Sequence, residues 1–143
     1  MFTVFNDIIA EMRLVYQHDE RPWMLGFSGG KDSTLLCQLV FEMLHTLKPE
    51  ERTKKIYVVT SDTMVENPIV KDYMYRMNAA INTASESEHL NVEAHMLHPE
   101  IQQTFWSLVI GLGYPTPEAP GFRWCTERLK INPSNKFTYD TIK

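Results

Sequence analysis

The sequence predicts an α/β fold in which a parallel sheet is flanked by helices. Two observations lead there. Short apolar and β-branched runs alternate with longer stretches whose apolar residues recur at helical spacing. The first of these runs passes through a glycine turn, Ser28-Gly29-Gly30-Lys31-Asp32-Ser33, directly into a helix. Strands that alternate with helices are joined by crossovers, and such crossovers make a parallel sheet covered on both faces.

The elements follow in order. Val4, Phe5, Ile8, Ile9, Met12 and Val15 recur at helical spacing, so a first amphipathic helix fills residues 1–21 until the polar run His18 to Arg21 and Pro22 end it. Trp23 to Phe27 is short, apolar and bounded by breakers: a buried first strand. Leu35, Leu36, Leu39, Val40, Met43, Leu44 and Leu47 form one face of a second helix, which Pro49 stops; Cys37 falls off that face. Lys55 to Thr60 is β-branched and aromatic and makes a second strand. Asn67-Pro68 is an N-cap and first-turn pair. It opens a third helix with Ile69, Tyr73, Met74, Met77, Ala80 and Ile81 on its apolar face. Asn91 to Leu97 alternates weakly and reads as a third strand. Residues 22–98 thus form a βαβ core. Residues 99–143 carry a helix from Pro99 to Ile110 with Ile101, Phe105, Leu108 and Val109 inward, and a loop from Gly111 to Gly121 with three prolines. A short helix from Cys125 to Lys130 follows, closed by Asn132-Pro133, with another helix starting near Ser134 to Phe137.

Size and composition suit one soluble domain. The 143 residues are enough for a single core. Apolar content of 43% and charged content of 22% are ordinary for a globular chain, and no apolar run approaches membrane-span length. Asp7, Glu11 and Arg13 interrupt the apolar N-terminus, which separates it from a signal peptide. A cytoplasmic location without membrane contact is therefore expected. A net charge of −4 argues against broad nonspecific nucleic-acid binding by this chain alone. The local basic cluster is Arg123, Arg128, Lys130 and Lys136. The two cysteines, Cys37 and Cys125, are too few and too far apart for a disulfide framework, and the five histidines show no metal-ligand spacing.

The glycine turn carries the chemistry. Glycines let the backbone approach an anion closely, and the free N–H groups and dipole of the helix start favour negative charge. Lys31 adds a point charge and Ser33 a hydroxyl. The spacing excludes a Walker A loop: Gly26 and Gly30 have one residue too few between them, and Asp32 follows Lys31 where Ser or Thr belongs. The dinucleotide fingerprint is absent as well. Asp32 is either an N-cap or, beside phosphates, a group that helps hold Mg²⁺. Ser61-Asp62-Thr63 follows the second strand, so both turns face the crevice at the carboxyl ends of the strands, where ligands of such sheets bind.

The string Ser28-Gly29-Gly30-Lys31-Asp32-Ser33 resembles the pyrophosphate loop of the ATP pyrophosphatase superfamily, the PP-loop proteins. Two further strings narrow the resemblance. Ser61-Asp62-Thr63-Met64-Val65-Glu66-Asn67-Pro68 and Phe122-Arg123-Trp124-Cys125-Thr126-Glu127-Arg128-Leu129-Lys130-Ile131 are similar to the phosphoadenosine-phosphosulfate reductase-like branch. Within it they look most like the DndC family, the sulfur-transfer component of bacterial DNA phosphorothioation systems. The resemblance implies a three-layer adenine-nucleotide alpha-hydrolase-like fold. It also implies cleavage of ATP to AMP and pyrophosphate in the replacement of a non-bridging DNA phosphate oxygen by sulfur. ATP would contact Ser28, Gly29, Gly30, Lys31, Asp32, Ser33, Ser61, Asp62 and Thr63. Lys31, Asp32 and Cys125 would be catalytic, with Mg²⁺ on Asp32. Arg123, Arg128 and Lys130 would meet substrate phosphate. Cys125 would be a ligand of a [4Fe–4S] cluster or a sulfur carrier. A cysteine desulfurase would supply sulfur, and DNA would be reached through the phosphorothioation complex rather than by this chain alone.

The chain departs from the family pattern in one respect. A four-iron cluster usually takes four thiolates, and two cysteines are present. The family's other cysteines lie further along a longer chain, and its sheet has more than three strands. The chain therefore reads as a single PP-loop ATP-binding domain, residues 1–143, incomplete at its C-terminus. Two alternatives stand beside the sulfur-transfer reading. One is a sulfonucleotide reductase, which needs a redox-active cysteine near its C-terminus. The other is a non-catalytic nucleotide-binding or assembly fragment that keeps the loop and lacks the cluster.

Overall fold

The computed structural model describes residues 5–116 and 123–142. Helix α1 (Asn6–His18) leads into strand β1 (Trp23–Gly26) and helix α2 (Lys31–Thr46). Strand β2 (Ile56–Ser61), helix α3 (Pro68–Ser87) and strand β3 (Val92–Leu97) follow. Beyond them come a 3₁₀ turn at Ile101–Gln103, a π turn at Ser107–Gly111, and a helical stretch made of α4 (Trp124–Thr126), a π turn at Glu127–Ile131 and α5 (Asn132–Thr141). The alternation of strand and helix read from the sequence is present from Asn6 to Leu97.

The three strands form one parallel sheet in the order β1-β2-β3. Trp23 pairs with Ile56 and Gly26 with Val59; Ile56 pairs with Val92 and Ser61 with Leu97. Both crossovers step the same way across the sheet, so right-handed connections place α2 and α3 on one face. There Leu25, Phe27, Ile56, Val58, Val92 and Ala94 meet Val40, Met43, Leu44 and Ile81 in the buried core, joined by Tyr16 of α1. Burying each of the large apolar side chains stabilises the fold by about 1.5–3 kcal/mol. The opposite face receives α5: Phe137 packs against Tyr57 and His95 at 5.6 and 4.8 Å between ring centres.

A buried lysine ties α1 to β2. Lys54 Nζ donates to Asp19 at 2.8 Å and lies 5.3 and 5.4 Å above the rings of Tyr16 and Trp23. The Tyr16 hydroxyl donates to the Lys54 carbonyl and accepts from its N–H. Hydrogen bonds from Lys54 and Arg21 hold the Asp19 carboxyl well below the usual carboxylate range. The outer edge of β3 is covered by α3: Asn82 bonds both polar groups of Ala94, and the Ser85 hydroxyl bonds Val92 at its N–H and carbonyl. Such covering removes the pairing hazard of an exposed strand edge. Among the described residues no strand pairs with the other edge of β1.

Four local expectations change. Leu35 and Leu36 are 45% and 44% exposed, whereas Cys37 and Phe41 are buried. The inward surface of α2 is wider than a single stripe because α2 lies on the sheet between α1 and α3. On α3 the inward residues are Met74, Asn78, Ile81 and Ser85, while Ile69 is 77% exposed. The stretch 99–110 is not one helix. The hydroxyls of Thr104 and Ser107 both donate to the Ile101 carbonyl, at 3.0 and 2.7 Å, and these side-chain bonds compete with a helical ladder. Leu108 is buried there, but Ile101 is exposed. Asn132-Pro133 does not close a helix either: the helical run continues through it from Trp124 to Thr141, with the π turn at Glu127–Ile131 just ahead of Pro133. The loop read from Gly111 to Gly121 lies partly outside the described residues, as does Phe122.

Candidate functional site

The turn after β1 is built for close approach. Gly29 has φ +73°, a conformation that glycine adopts without penalty. A Cβ on it would also stand 2.9 Å from the ring of the partly exposed Tyr73, which would have to shift. Gly30 is the N-cap of α2, with φ −79° and no side chain capping the helix. The first N–H groups of α2 are thereby left for water or an anion. The loop is braced from within: the Ser28 N–H donates to Ser33 Oγ at 3.3 Å, and the hydroxyls of Ser33 and Thr34 donate to the Gly30 carbonyl at 3.0 and 2.8 Å. Lys31 and Asp32 stand exposed on the first turn of α2. Asp32 is therefore a first-turn residue rather than the N-cap.

The turn after β2 is closed. Asp62 is buried, and its carboxylate accepts from the Met64 N–H at 2.8 Å and the Tyr75 hydroxyl at 3.0 Å. Lys71 Nζ pairs with it at 3.1 Å and His98 Nε2 lies 3.6 Å away. Burial alone would raise its pKa, but the Met64 N–H, Lys71 and Tyr75 outweigh burial and hold the carboxyl below its ordinary value. The same contacts push Lys71 up through Asp62, and Tyr75 up through burial and Asp62. Met64, with φ +65°, is held in the left-handed region by that turn. Thr63 is buried and its hydroxyl donates to Glu66 Oε1 at 3.1 Å.

A cavity of about 450 Å³ joins the two turns. Ser28, Ser61, Glu66, Lys130 and Ser134 line it with polar groups; Phe27, Val59, Val70 and Met74 give it an apolar wall. That volume is in the range of small-molecule sites. The fold thus brings Ser28 of the glycine turn, Ser61 and Lys130 to one space across more than a hundred residues of sequence. A larger cavity of about 600 Å³ lies beyond the end of β3, among His98, Gln103, Asn132 and the Lys136–Glu100 ion pair. It does not include the glycine turn.

Arg123 is exposed, and Arg128 and Cys125 are half-buried on the stretch that leads into α5. Cys37 is buried in α2 on the other face of the sheet, where burial pushes its thiol up to about 11. The two sulfurs belong to different layers, and among the described residues no three His, Cys, Asp or Glu side chains gather as metal ligands. The two cysteines of this chain do not by themselves make a four-thiolate iron–sulfur cluster. Glu66, Ser134 and the Lys71–Tyr75–His98 set were not singled out from the sequence as site residues. Glu66 lies in the Ser61-to-Pro68 string, and that position was the available signal. Nothing in the spacing of Lys71, Tyr75 and His98 marks them.

The chain is 30% identical over 132 residues to the uncharacterized protein MJ0066 of Methanocaldococcus jannaschii, an alignment that covers 92% of this chain and 23% of that one. The chain thus spans about a quarter of that relative's length. No protein-family profile matches the chain. No solved structure matches it. Among the described residues no helix is long and apolar enough to cross a membrane.

Proposed function

We propose that the chain binds ATP with its phosphates on the glycine turn Ser28–Ser33 and cleaves it to AMP and pyrophosphate, as an ATP pyrophosphatase domain of the PP-loop type. The observation that carries the reading is the uncapped start of α2 behind a left-handed Gly29, at the carboxyl end of a parallel strand. The helix N–H groups, Lys31 and Ser33 meet the phosphates. Ser61 and Lys130 line the same cavity, and Asp62, which does not line it, shapes the turn after Ser61 by accepting from the Met64 N–H. Asp32, exposed beside the phosphates, would hold Mg²⁺, which supplies charge neutralisation on the departing pyrophosphate.

In the finer reading the acceptor is a DNA phosphate. One of its non-bridging oxygens attacks the α-phosphorus of ATP, the bond to the β-phosphate oxygen breaks, and pyrophosphate leaves. The terminal sulfur of a Cys125 persulfide, loaded by a cysteine desulfurase, then attacks the DNA phosphorus and displaces AMP, which takes the DNA oxygen with it; a thiol reductant attacks the Cys125 sulfur, breaks the S–S bond as a new disulfide forms, and leaves the outer sulfur on phosphorus. The positive groups around pyrophosphate stabilise the charge that develops on it. Arg123, Arg128 and Lys130 would contact the acceptor, and Cys125 would carry sulfur. The support for this finer reading is the resemblance of the strings around Asp62 and Cys125. An iron–sulfur cluster is not assigned to this chain's own cysteines.

Pyrophosphate release and ATP binding test the proposal. Wild-type chain with Mg²⁺-ATP is expected to bind ATP and release pyrophosphate, and Lys31→Ala to weaken binding by about ten-fold or more through loss of a charge-assisted contact. Absence of ATP binding by the wild type overturns the nucleotide reading. Binding that Lys31→Ala removes, without pyrophosphate release, replaces the enzyme with a non-catalytic nucleotide-binding module.

A further inference from the structure

We infer that Glu66 reads the sugar of the bound nucleotide and makes the site selective for ribonucleotides over deoxyribonucleotides. The inference rests on the ATP reading above and narrows its substrate class. Glu66 supplies the carboxylate among the residues that line the cavity beside the glycine turn. The Thr63 hydroxyl, itself buried, donates to Oε1 at 3.1 Å and fixes the side chain. No other partner of Glu66 is found among the described residues, which leaves Oε2 for a ligand.

The chemistry of the cavity decides what that ligand group is. A phosphate facing a bare carboxylate is repelled. A vicinal diol is neutral and offers two O–H donors, and a carboxylate oxygen such as Oε2 has the lone pairs to accept both. Dinucleotide-binding sheets recognise ribose by the same pairing of a carboxylate with hydroxyls. The other cavity groups complete the arrangement. Ser28 and Lys130 supply groups suited to phosphate, and Val59, Val70 and Met74 apolar surface suited to a base. Glu66 is the carboxylate that remains for the sugar.

The test compares dissociation constants of ATP, 2′-deoxy-ATP and 3′-deoxy-ATP, each with Mg²⁺ and with chelator, for wild type, Glu66→Gln and Glu66→Ala. Wild type is expected to bind each deoxy analogue about ten-fold more weakly than ATP, the effect of losing a hydrogen bond to a charged acceptor. Glu66→Ala should bind ATP as weakly as the analogues and stop discriminating. Glu66→Gln keeps an acceptor for Thr63 and the side-chain size, so its loss of discrimination is not a folding effect. Equal wild-type affinity for the three nucleotides overturns the inference while the ATP reading stands. Discrimination that survives in Glu66→Ala overturns it as well. So does a Glu66→Ala defect that is equal for all three nucleotides and present only with Mg²⁺, because the carboxylate would then be holding metal. No binding of ATP by wild type removes the ATP reading itself and this inference with it.

Discussion

The turn after β1 and the turn after β2 leave the same edge of one sheet, one strand apart, and each carries an aspartate that the sequence marks for the site. They use their polar groups in opposite ways. After β2, the Asp62 carboxylate is buried among the Met64 N–H, Lys71, Tyr75 and His98. After β1, Asp32 stands exposed on a helix start that no side chain caps. The first arrangement fixes a shape; the second leaves donors for something that comes from outside. A short polar turn after a parallel strand is thus not by itself a binding turn. What separates the two is whether the fold supplies partners for its charged and N–H groups.

Replacing the two aspartates gives the largest contrast. Asp62→Ala leaves the Met64 N–H, Lys71 and Tyr75 without their acceptor and should cost about 2–3 kcal/mol in urea unfolding. Asp32→Ala removes only an exposed first-turn charge and should cost about 0.5 kcal/mol. Equal losses would break the contrast, because Asp32 would then be structural as well. The glycines give a smaller one. Gly29→Ala forces a Cβ into a left-handed position, at about 1–2 kcal/mol, and displaces the partly exposed Tyr73 ring. At Gly30 the backbone is in an ordinary region and a Cβ would meet its nearest neighbour at 3.5 Å, so Gly30→Ala should cost only about 0.5 kcal/mol, as a poorer N-cap. Thermal unfolding of the two variants side by side checks the order; a Gly30→Ala loss as large as that of Gly29→Ala would contradict the geometry of the turn.

The legible parts of the molecule are those set by local chemistry. The strands Ile56–Ser61 and Val92–Leu97 follow from β-branched and alternating residues, and Asn67 caps α3 with its side chain accepting from the Ile69 N–H as its type suggests. The glycine turn was visible because glycine, lysine and serine types report backbone freedom and charge directly. The rest depends on what lies across the fold. Cys37 and Phe41 are buried because α2 has a neighbouring helix on each side, which its own periodicity does not record. Thr104 and Ser107 turn a helical pattern into a 3₁₀ turn by bonding Ile101. The partners of Asp62 come from positions 64, 71, 75 and 98, a set that only the packing of α3 against β2 and β3 assembles. Glu66 gains meaning only when the fold brings Lys130 and Ser134 to the same cavity.

The smallest effect, and the one most specific to the closed turn, is its response to acid. Burial works against the Asp62 carboxylate, but its donors keep the folded pKa below the ordinary value of about 3.9. For a depressed carboxylate the unfolded chain takes up the proton first as pH falls. Stability from Asp62 is therefore fully present above the unfolded pKa and is lost as pH drops through the folded one. Asp62→Asn keeps the side-chain size and an acceptor for the Met64 N–H but carries no charge at any pH. Urea unfolding of wild type and Asp62→Asn should differ at about pH 5, and the gap should narrow from about pH 4 downward as the wild-type carboxyl becomes neutral. A gap that stays constant down to pH 2 would mean that charge on Asp62 does nothing for the turn, and that shape alone, which Asn shares, holds Met64 in its left-handed position.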